Sequence, residues 1–375
     1  MNKCSLVIMA GGTGGHVFPG LAVASLMREK GWQVEWIGTA DKMEAQLVPK
    51  YGFNIHFINI GGLRGKSIIT QLLTPFKLAG ALFQSIALLR KLRPSAVLGM
   101  GGYASGPGGI AAWLLKVPLV VHEQNAVFGM TNRYLAKIAT FTLTGFDLAS
   151  VVPANAANKS SPSNTHYVGN PIRQDFFDIA PKHRANSTQS LNILIVGGSL
   201  GALALNQIVP KVLITLGKRF SVSVMHQSGA NKHAQVQAAY QNMPNVEVIE
   251  FIDNMQSAFS WSDIIICRAG ALTVAEVAGA GRVAIFVPLP NAVDDHQSAN
   301  ARYLSDKGGA LLIQQSALET SLLPALETVC LSLEKRDEIA SIARASAHKN
   351  ATFEVASFIE KAVNANMQNK NNKRD

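Results

Sequence analysis

An alternation constrains this chain more than any other feature. Short apolar runs rich in β-branched residues recur, and a helical pattern follows most of them. They lie at 5–10, 34–38, 55–60, 96–99, 118–122 and 140–144, then at 192–197, 221–227, 246–251, 263–267, 283–288 and 309–313. Strands alternating with helices form parallel sheets in α/β proteins. The 31 glycines fall mostly at the ends of these runs, as tight strand-to-helix turns require. Polar stretches at 153–165 and 180–190 read as loop or linker, and HYVGNPIR between them as one last strand and a turn. The two halves open alike, LVIMAGGTGG (6–15) and ILIVGGSLGA (193–202). The expectation is two Rossmann-like, doubly wound domains, 1–169 and 170–349. A last helix over roughly 350–365 and a polar, disordered tail complete the chain.

Lys and Arg number 34 against 24 Asp and Glu, a net charge of +10. Such a balance suits phosphorylated substrates, anionic lipid or nucleic acid. No long basic run with interleaved aromatics is present, so nucleic acid is not expected. Cys4, Cys267 and Cys330 are an odd set without metal-type spacing, which predicts neither a disulfide nor a zinc site and fits a reducing compartment. The first apolar run is short and enters a glycine turn rather than a cleavage site, so no secretory signal is expected.

The glycine turns carry the first chemical hint. In SLVIMAGGTGGHVFPGLAVA a strand-like run passes through Gly11, Gly12, Gly14 and Gly15 into a helical pattern. Exposed N–H groups and the helix dipole there attract anions, and glycine lets a phosphate approach closely. Tight strand–helix packing is the alternative. The dinucleotide fingerprint fails because its third glycine would be Val17, although Glu35 stands where a ribose-binding acid belongs. GGLRGKS (61–67) is not a P-loop, because Ile60 replaces the first glycine. In CRAGALTVAEV (267–277) a helix is expected to begin around Ala271 to Thr273. Thr273 could add a hydroxyl to its backbone donors. Glu276, one turn in, can accept two ribose hydroxyls or serve as an ordinary acid near a helix start.

GGTGGHVFPGLAVA, GGYASGP, HEQN, GNPIR, GGSLGA, RAGALTVAE and DHQSANA occur together and in order. With them the chain closely resembles the MurG family of bacterial cell-wall glycosyltransferases over roughly 5–365. That resemblance implies the GT-B fold, two Rossmann-like domains with a cleft between them. It implies inverting transfer of N-acetylglucosamine from UDP-GlcNAc to undecaprenyl-diphospho-MurNAc-pentapeptide (lipid I), giving lipid II for peptidoglycan. The second domain would hold UDP, the first the lipid acceptor, and the last helix would return to the first domain. By motif, donor contacts would be Thr13, Gly14, Gly15, Asn125, Arg173 and Ser199, with the backbone of Ile252 on uracil. The segment Ala271, Leu272, Thr273, Val274, Ala275 and Glu276 would flank diphosphate and ribose, and Gln297 would read a sugar hydroxyl. A sugar-nucleotide epimerase of the same architecture, a dinucleotide-dependent oxidoreductase and a membrane-bound scaffold without chemistry remain alternatives.

Attack of a sugar 4-hydroxyl on the anomeric carbon needs a base and charge stabilisation on the departing UDP. His16 is the candidate base, since the dipole at a helix start disfavours imidazolium. It could instead bond the acceptor diphosphate or shape the turn. Glu123 and His122 are rivals. Arg268 could steady phosphate charge or pair with a carboxylate. No Asp-x-Asp motif is present, Asp294–Asp295 reads as a helix start, and neither metal nor other cofactor is expected.

Residues 68–92 are apolar on nearly every helical face and flanked by Arg64, Lys66, Lys77, Arg90, Lys91 and Arg93. Thr74 and Pro75 read as a cap and a helix start. Pro75, Lys77 and Gln84 break the run, so it is not a span. Besides burial in the first domain, it suits peripheral binding to an anionic surface, the cytoplasmic face of the bacterial inner membrane. Phe76, Leu78, Leu82 and Phe83 are candidate contacts, and other cell-wall synthesis proteins are candidate partners.

Overall fold

The computed structural model describes residues 4–61, 74–151, 164–182, 190–198, 201–241, 243–290, 292 and 295–372. The chain divides into two units, Met1–Ile172 with Asn350–Asp375, and Arg173–Lys349.

The first unit runs β1 (Ser5–Met9), α1 (Gly14–Glu29), β2 (Gln33–Gly38), α2 (Met43–Lys50), β3 (Asn54–Phe57), α3 (Thr74–Leu92), β4 (Ala96–Gly99), α4 (Ser105–Leu114), β5 (Leu119–Glu123), α5 (Met130–Leu135), β6 (Phe141–Thr144), α6 (Leu148–Val151) and β7 (Thr165–Tyr167). Its strands pair in parallel in the order β3-β2-β1-β4-β5-β6-β7. The second unit runs β8 (Leu191–Val196), α7 (Leu203–Leu216), β9 (Val222–Gln227), α8 (His233–Ala239), β10 (Val246–Ile249), α9 (Met255–Trp261), β11 (Ile264–Cys267), α10 (Ala271–Ala280), β12 (Val283–Phe286), α11 (His296–Ser305), β13 (Leu311–Leu312), α12 (Leu318–Leu331) and α13 (Leu333–Ala345). Its order is β10-β9-β8-β11-β12-β13, again parallel. Both are doubly wound Rossmann-like sheets. In each the strand order reverses beside its first strand, so the glycine turns after β1 and β8 lie at the carboxyl end where such sheets bind ligands.

The central strands are buried on both faces, which is why they read as continuous apolar runs rather than alternations. Every expected run carries a strand, but some are shorter. β3 stops at Phe57, β10 at Ile249, and β13 shrinks to Leu311–Leu312. Just before it, Gly309 packs against α13, where a Cβ would be 3.0 Å from the Ala343 nitrogen. Pro19 lies inside α1, which begins five residues earlier at Gly14.

The final helix, α14 (Ala351–Asn371), belongs to the first unit. Val355, Ala356, Ile359, Ala362 and Val363 lie on one face and are buried in the core shared with α1. The helix passes the expected end near 365, which corrects the disordered reading for residues 366–371. Once nucleated on a packed face, extension gains one hydrogen bond per residue fixed. Residues 373–375 lie outside the described residues. Ile359→Ala should cost about 2–5 kcal/mol, seen by circular dichroism as a lower urea midpoint. An unchanged midpoint would mean that α14 docks without stabilising the unit.

Candidate active site

The turn after β1 has two halves with different jobs. Gly11 and Gly12 do not face an anion from solution, because a carboxylate of the protein is already there. Glu44, fully buried at the start of α2, accepts the Gly12 N–H at 3.0 Å, the Thr39 N–H at 3.0 Å and the Thr39 hydroxyl at 2.7 Å. A Cβ on Gly11 would lie 2.3 Å from Oε1 of Glu44, and Gly12 holds φ +91°. Gly14 and Gly15 instead open α1, with Thr13 at its N-cap. Their N–H groups belong to the first turn, where a helix has no internal acceptor to offer.

His16 lies in that first turn, half-buried. Its Nδ1 is 3.2 Å from the Gly11 carbonyl and 3.4 Å from the Thr13 hydroxyl. A carbonyl only accepts, so the Gly11 contact requires a proton on Nδ1 and makes Nε2 the basic nitrogen of the neutral ring. The Nε2 edge faces the turn after β4, where a Cβ on Gly101 (φ +98°) would be 3.0 Å from Nε2. Ser105 fixes that turn by accepting the Gly101 N–H at 3.1 Å, its single hydroxyl proton shared between the carbonyls of Met9 and Gly101 at 2.8 and 2.7 Å.

HEQN turns largely inward. Glu123, buried at the end of β5, accepts four N–H donors. They are the Asn125 backbone and amide, both 3.1 Å, the Gly129 backbone at 3.0 Å and the Asn132 amide at 2.9 Å. Both oxygens are therefore committed to shaping the loop into α5, which removes the geometric case for Glu123 as base. His122 is fully buried, its Nε2 donating to the Gly169 carbonyl at 2.9 Å, and burial pulls its pKa down to about 4. It is a neutral structural imidazole.

In the second unit Gly197, Gly198 and Gly201 form the turn before α7, while Ser199 lies outside the described residues. Gly201 (φ +67°) sits so tightly that a Cβ would be 2.0 Å from the Ser228 carbonyl. What holds that carbonyl is not legible in the sequence. Tyr240 and Nδ1 of His226 are 2.7 Å apart, Nε2 of His226 and Oδ1 of Asn206 are 3.1 Å apart, and the Asn206 amide donates to the Ser228 carbonyl at 2.9 Å. Burial pulls the His226 pKa down to about 3, so this chain of bonds is neutral. Ile252, after β10, is buried.

The helix start at Ala271 follows Gly270 as N-cap. Ala271 and Val274 point into the core, so only their backbones could meet a ligand. Thr273 and Glu276 are spaced three apart on the less buried side, with Leu272 and Ala275. Desolvation pushes the Glu276 carboxyl up to about 8, with Arg173 opposing the rise and Asp175 adding to it. Arg173 Nε and Asp175 Oδ1 are 3.6 Å apart, at the start of the second unit. Arg268 donates to the carbonyls of Val287 and Pro288 at 3.0 and 3.1 Å and to Gln315 at 2.6 Å. It pins neighbouring loops and pairs with no carboxylate among the described residues, which corrects the ion-pair reading. Gln297 accepts the Leu289 N–H at 2.9 Å. Asp295 stands at the N-cap position of α11 without capping its backbone, and its carboxylate accepts the Ser298 hydroxyl at 2.7 Å.

Two family models match the chain, the glycosyltransferase family 28 N-terminal domain at residues 6–144 and its C-terminal domain at 192–360. A Tolumonas auensis protein, UDP-N-acetylglucosamine--N-acetylmuramyl-(pentapeptide) pyrophosphoryl-undecaprenol N-acetylglucosamine transferase, is 49% identical over 358 residues, 94% of this chain and 98% of its own. This chain is a family 28 glycosyltransferase. Among solved structures, MurG of Acinetobacter baumannii is 42% identical with a TM-score of 0.78, covering 96% of this chain and 100% of its own. The UDP-GlcNAc 2-epimerase of Neisseria meningitidis, bound to UDP-GlcNAc, has a TM-score of 0.67 at 15% identity, with 96% and 100% covered. That likeness is one of fold alone, so the epimerase alternative gains nothing beyond shared GT-B architecture.

The raised Glu276 carboxyl has a sign that can be checked in the family 28 enzyme. The folded protein holds this proton up to about pH 8, whereas the unfolded chain releases it near 4.5. Folding thus binds the proton between those values, and stability from this group falls as pH rises through them. Glu276→Gln, which stays neutral, should match the parent's melting temperature at pH 5 and exceed it at pH 9. Equal melting temperatures at both pH values would contradict the burial argument.

Proposed function

We propose that His16 is the general base of this chain's reaction and that the second unit holds the donor. The reaction is transfer of N-acetylglucosamine from UDP-GlcNAc to the 4-hydroxyl of MurNAc in undecaprenyl-diphospho-MurNAc-pentapeptide, with inversion, forming lipid II. Full-length identity to a named transferase carries the reaction. The Nδ1 contact to Gly11 supports the base, because it leaves Nε2 as the proton acceptor. A helix start also disfavours imidazolium, and a base at neutral pH must be neutral.

The acceptor oxygen attacks the anomeric carbon from the face opposite UDP, its proton passes to Nε2, and the glycosyl–phosphate bond breaks towards the diphosphate. The first-turn N–H groups of α10, with the Thr273 hydroxyl beside Gly270, stabilise the negative charge left on the diphosphate. Ser199 and the turn before α7 add to this. Glu276 holds the ribose hydroxyls, the Ile252 backbone reads uracil, and Arg173, Gln297, Asn125, Thr13, Gly14 and Gly15 complete the donor contacts. We infer that Glu123 shapes the loop carrying Asn125, and that Arg268 keeps the loops around α10 in place.

The lipid acceptor requires work at a membrane, and the first unit has a suitable face. α3 buries Ala81, Ser85 and Leu89, whereas Phe76 is 75% exposed, Phe83 71% and Leu78 39%. Leu82 is half-buried. Against α3 packs α4, which adds exposed Ile110, Trp113 and Leu114 to the expected set. Exposed Lys77, Arg90, Lys91 and Lys116 lie on or beside these helices. No helix among the described residues is long and apolar enough to cross a membrane. We infer peripheral binding at the cytoplasmic face of the inner membrane, which the exposed apolar and basic residues support through apolar insertion and attraction to anionic lipid.

Single-turnover assays with the full lipid acceptor test the base. His16→Ala should slow transfer roughly 100-fold or more while UDP-GlcNAc binding stays intact. A rate within a fewfold of the parent would remove His16 from the mechanism. In vesicle co-sedimentation, Phe83→Ala with Trp113→Ala should weaken binding to anionic vesicles, and added salt should weaken the parent. Equal binding to neutral and anionic vesicles, unmoved by salt, would contradict the electrostatic part.

A further inference from the structure

The strand-side half of the first glycine turn is built round Glu44, and this carboxylate has no place in the chemistry described above. It is fully buried, and no cation among the described residues pairs with it. A lone buried acid is costly unless its oxygens are fully bonded. Glu44 meets that cost with three neutral donors, and the sequence clears space for it twice. A Cβ on Gly11 would lie 2.3 Å from Oε1, and one on Gly38 would lie 2.7 Å from Cγ. Residues far apart in the chain, Gly11, Gly12, Gly38 and Thr39, thus surround one carboxylate.

The turn residues that touch Glu44 are those that orient His16. Oε2 holds the Gly12 N–H, which belongs to the peptide whose carbonyl is that of Gly11. That carbonyl is the acceptor for His16 Nδ1 at 3.2 Å. The carboxylate therefore grips one end of a planar amide, and the imidazole proton rests on the other. Turning this peptide would take the carbonyl from Nδ1, and the pull of Glu44 on the N–H opposes that turn. An N–H hydrogen-bonded to an anion also makes its carbonyl a stronger acceptor, because bonds along a chain polarise one another.

We propose that Glu44 is a positioning residue for the transfer reaction. It fixes the Gly11–Gly12 peptide so that His16 carries its proton on Nδ1 and presents Nε2 to the acceptor hydroxyl. The inference deepens the base assignment and rests on it. Glu44 touches no reacting atom. It acts through one peptide group, as an orienting acid acts through a hydrogen bond in other base assemblies.

Two readouts separate this role from simple support of the fold. The first is the tautomer of His16, read from imidazole 15N shifts of the full chain and assigned with His16→Gln. The parent should show a protonated Nδ1, and Glu44→Gln, whose amide N–H₂ opposes the Gly12 N–H, should show a tautomer mixture. The second is kinetic. Glu44→Gln should lower kcat roughly 10- to 100-fold, the scale of a misplaced catalytic group, with the KM for UDP-GlcNAc unchanged. If Glu44→Gln does not fold, Glu44→Asp, which keeps the charge but shortens the reach, should give the same pattern. A retained Nδ1–H tautomer, or a loss of kcat matched by a rise in donor KM, would overturn the inference. A tautomer mixture with parental kcat would support the link from Glu44 to His16 and overturn His16 as base.

Discussion

Backbone touches backbone where the turn after β4 crosses the turn after β1. A Cβ on Gly102 (φ +83°) would lie 2.3 Å from the Gly11 carbonyl oxygen, so nothing larger than glycine fits. That same oxygen faces His16 Nδ1, and the N–H of its peptide is held by Glu44. One carbonyl is thus the meeting point of two turns, a buried acid and the candidate base. Its position is set by the adjacent parallel pairing of β1 and β4, which brings both turns to one sheet edge.

The second unit solves the related problem without charge. Its glycine turn before α7 is pressed on the Ser228 carbonyl, and a neutral line of Asn206, His226 and Tyr240 keeps that carbonyl in place. Charge appears there in the group of Arg173, Asp175 and Glu276, where desolvation lifts Glu276 to about 8. The first unit presents a candidate base beside a fixed peptide, while the second presents helix starts suited to a diphosphate. That division matches the demands of an inverting transfer, which must take a proton at one oxygen and stabilise charge at another.

Much of this was legible in the residues. Buried parallel strands leave unbroken apolar runs, so β1 through β12 could be placed to within a few residues. Glycine turns and the helix starts at Gly14 and Ala271 could be read for the same reason. The inward folding of side chains could not. HEQN looks like a ligand-facing motif, yet Glu123 bonds its own loop and His122 donates to the Gly169 carbonyl. Arg268 reads as an anion ligand, and three of its five N–H groups donate to the Val287 and Pro288 carbonyls and to Gln315. Glu44 sits in TADKMEAQ as an ordinary acid near a helix start, and only the tertiary approach of Gly11 and Gly38 shows its burial. The helix through 366–371 was hidden by polar composition, because its support comes from packing upstream in α14.

A crystal structure with a MurNAc-containing acceptor analogue in place would test the central claim most directly. The account predicts the acceptor 4-hydroxyl oxygen within about 2.6–3.2 Å of His16 Nε2, with Nδ1 still on the Gly11 carbonyl. A 4-hydroxyl bonded to another side chain, with the imidazole turned so that Nε2 faces Gly11, would contradict it.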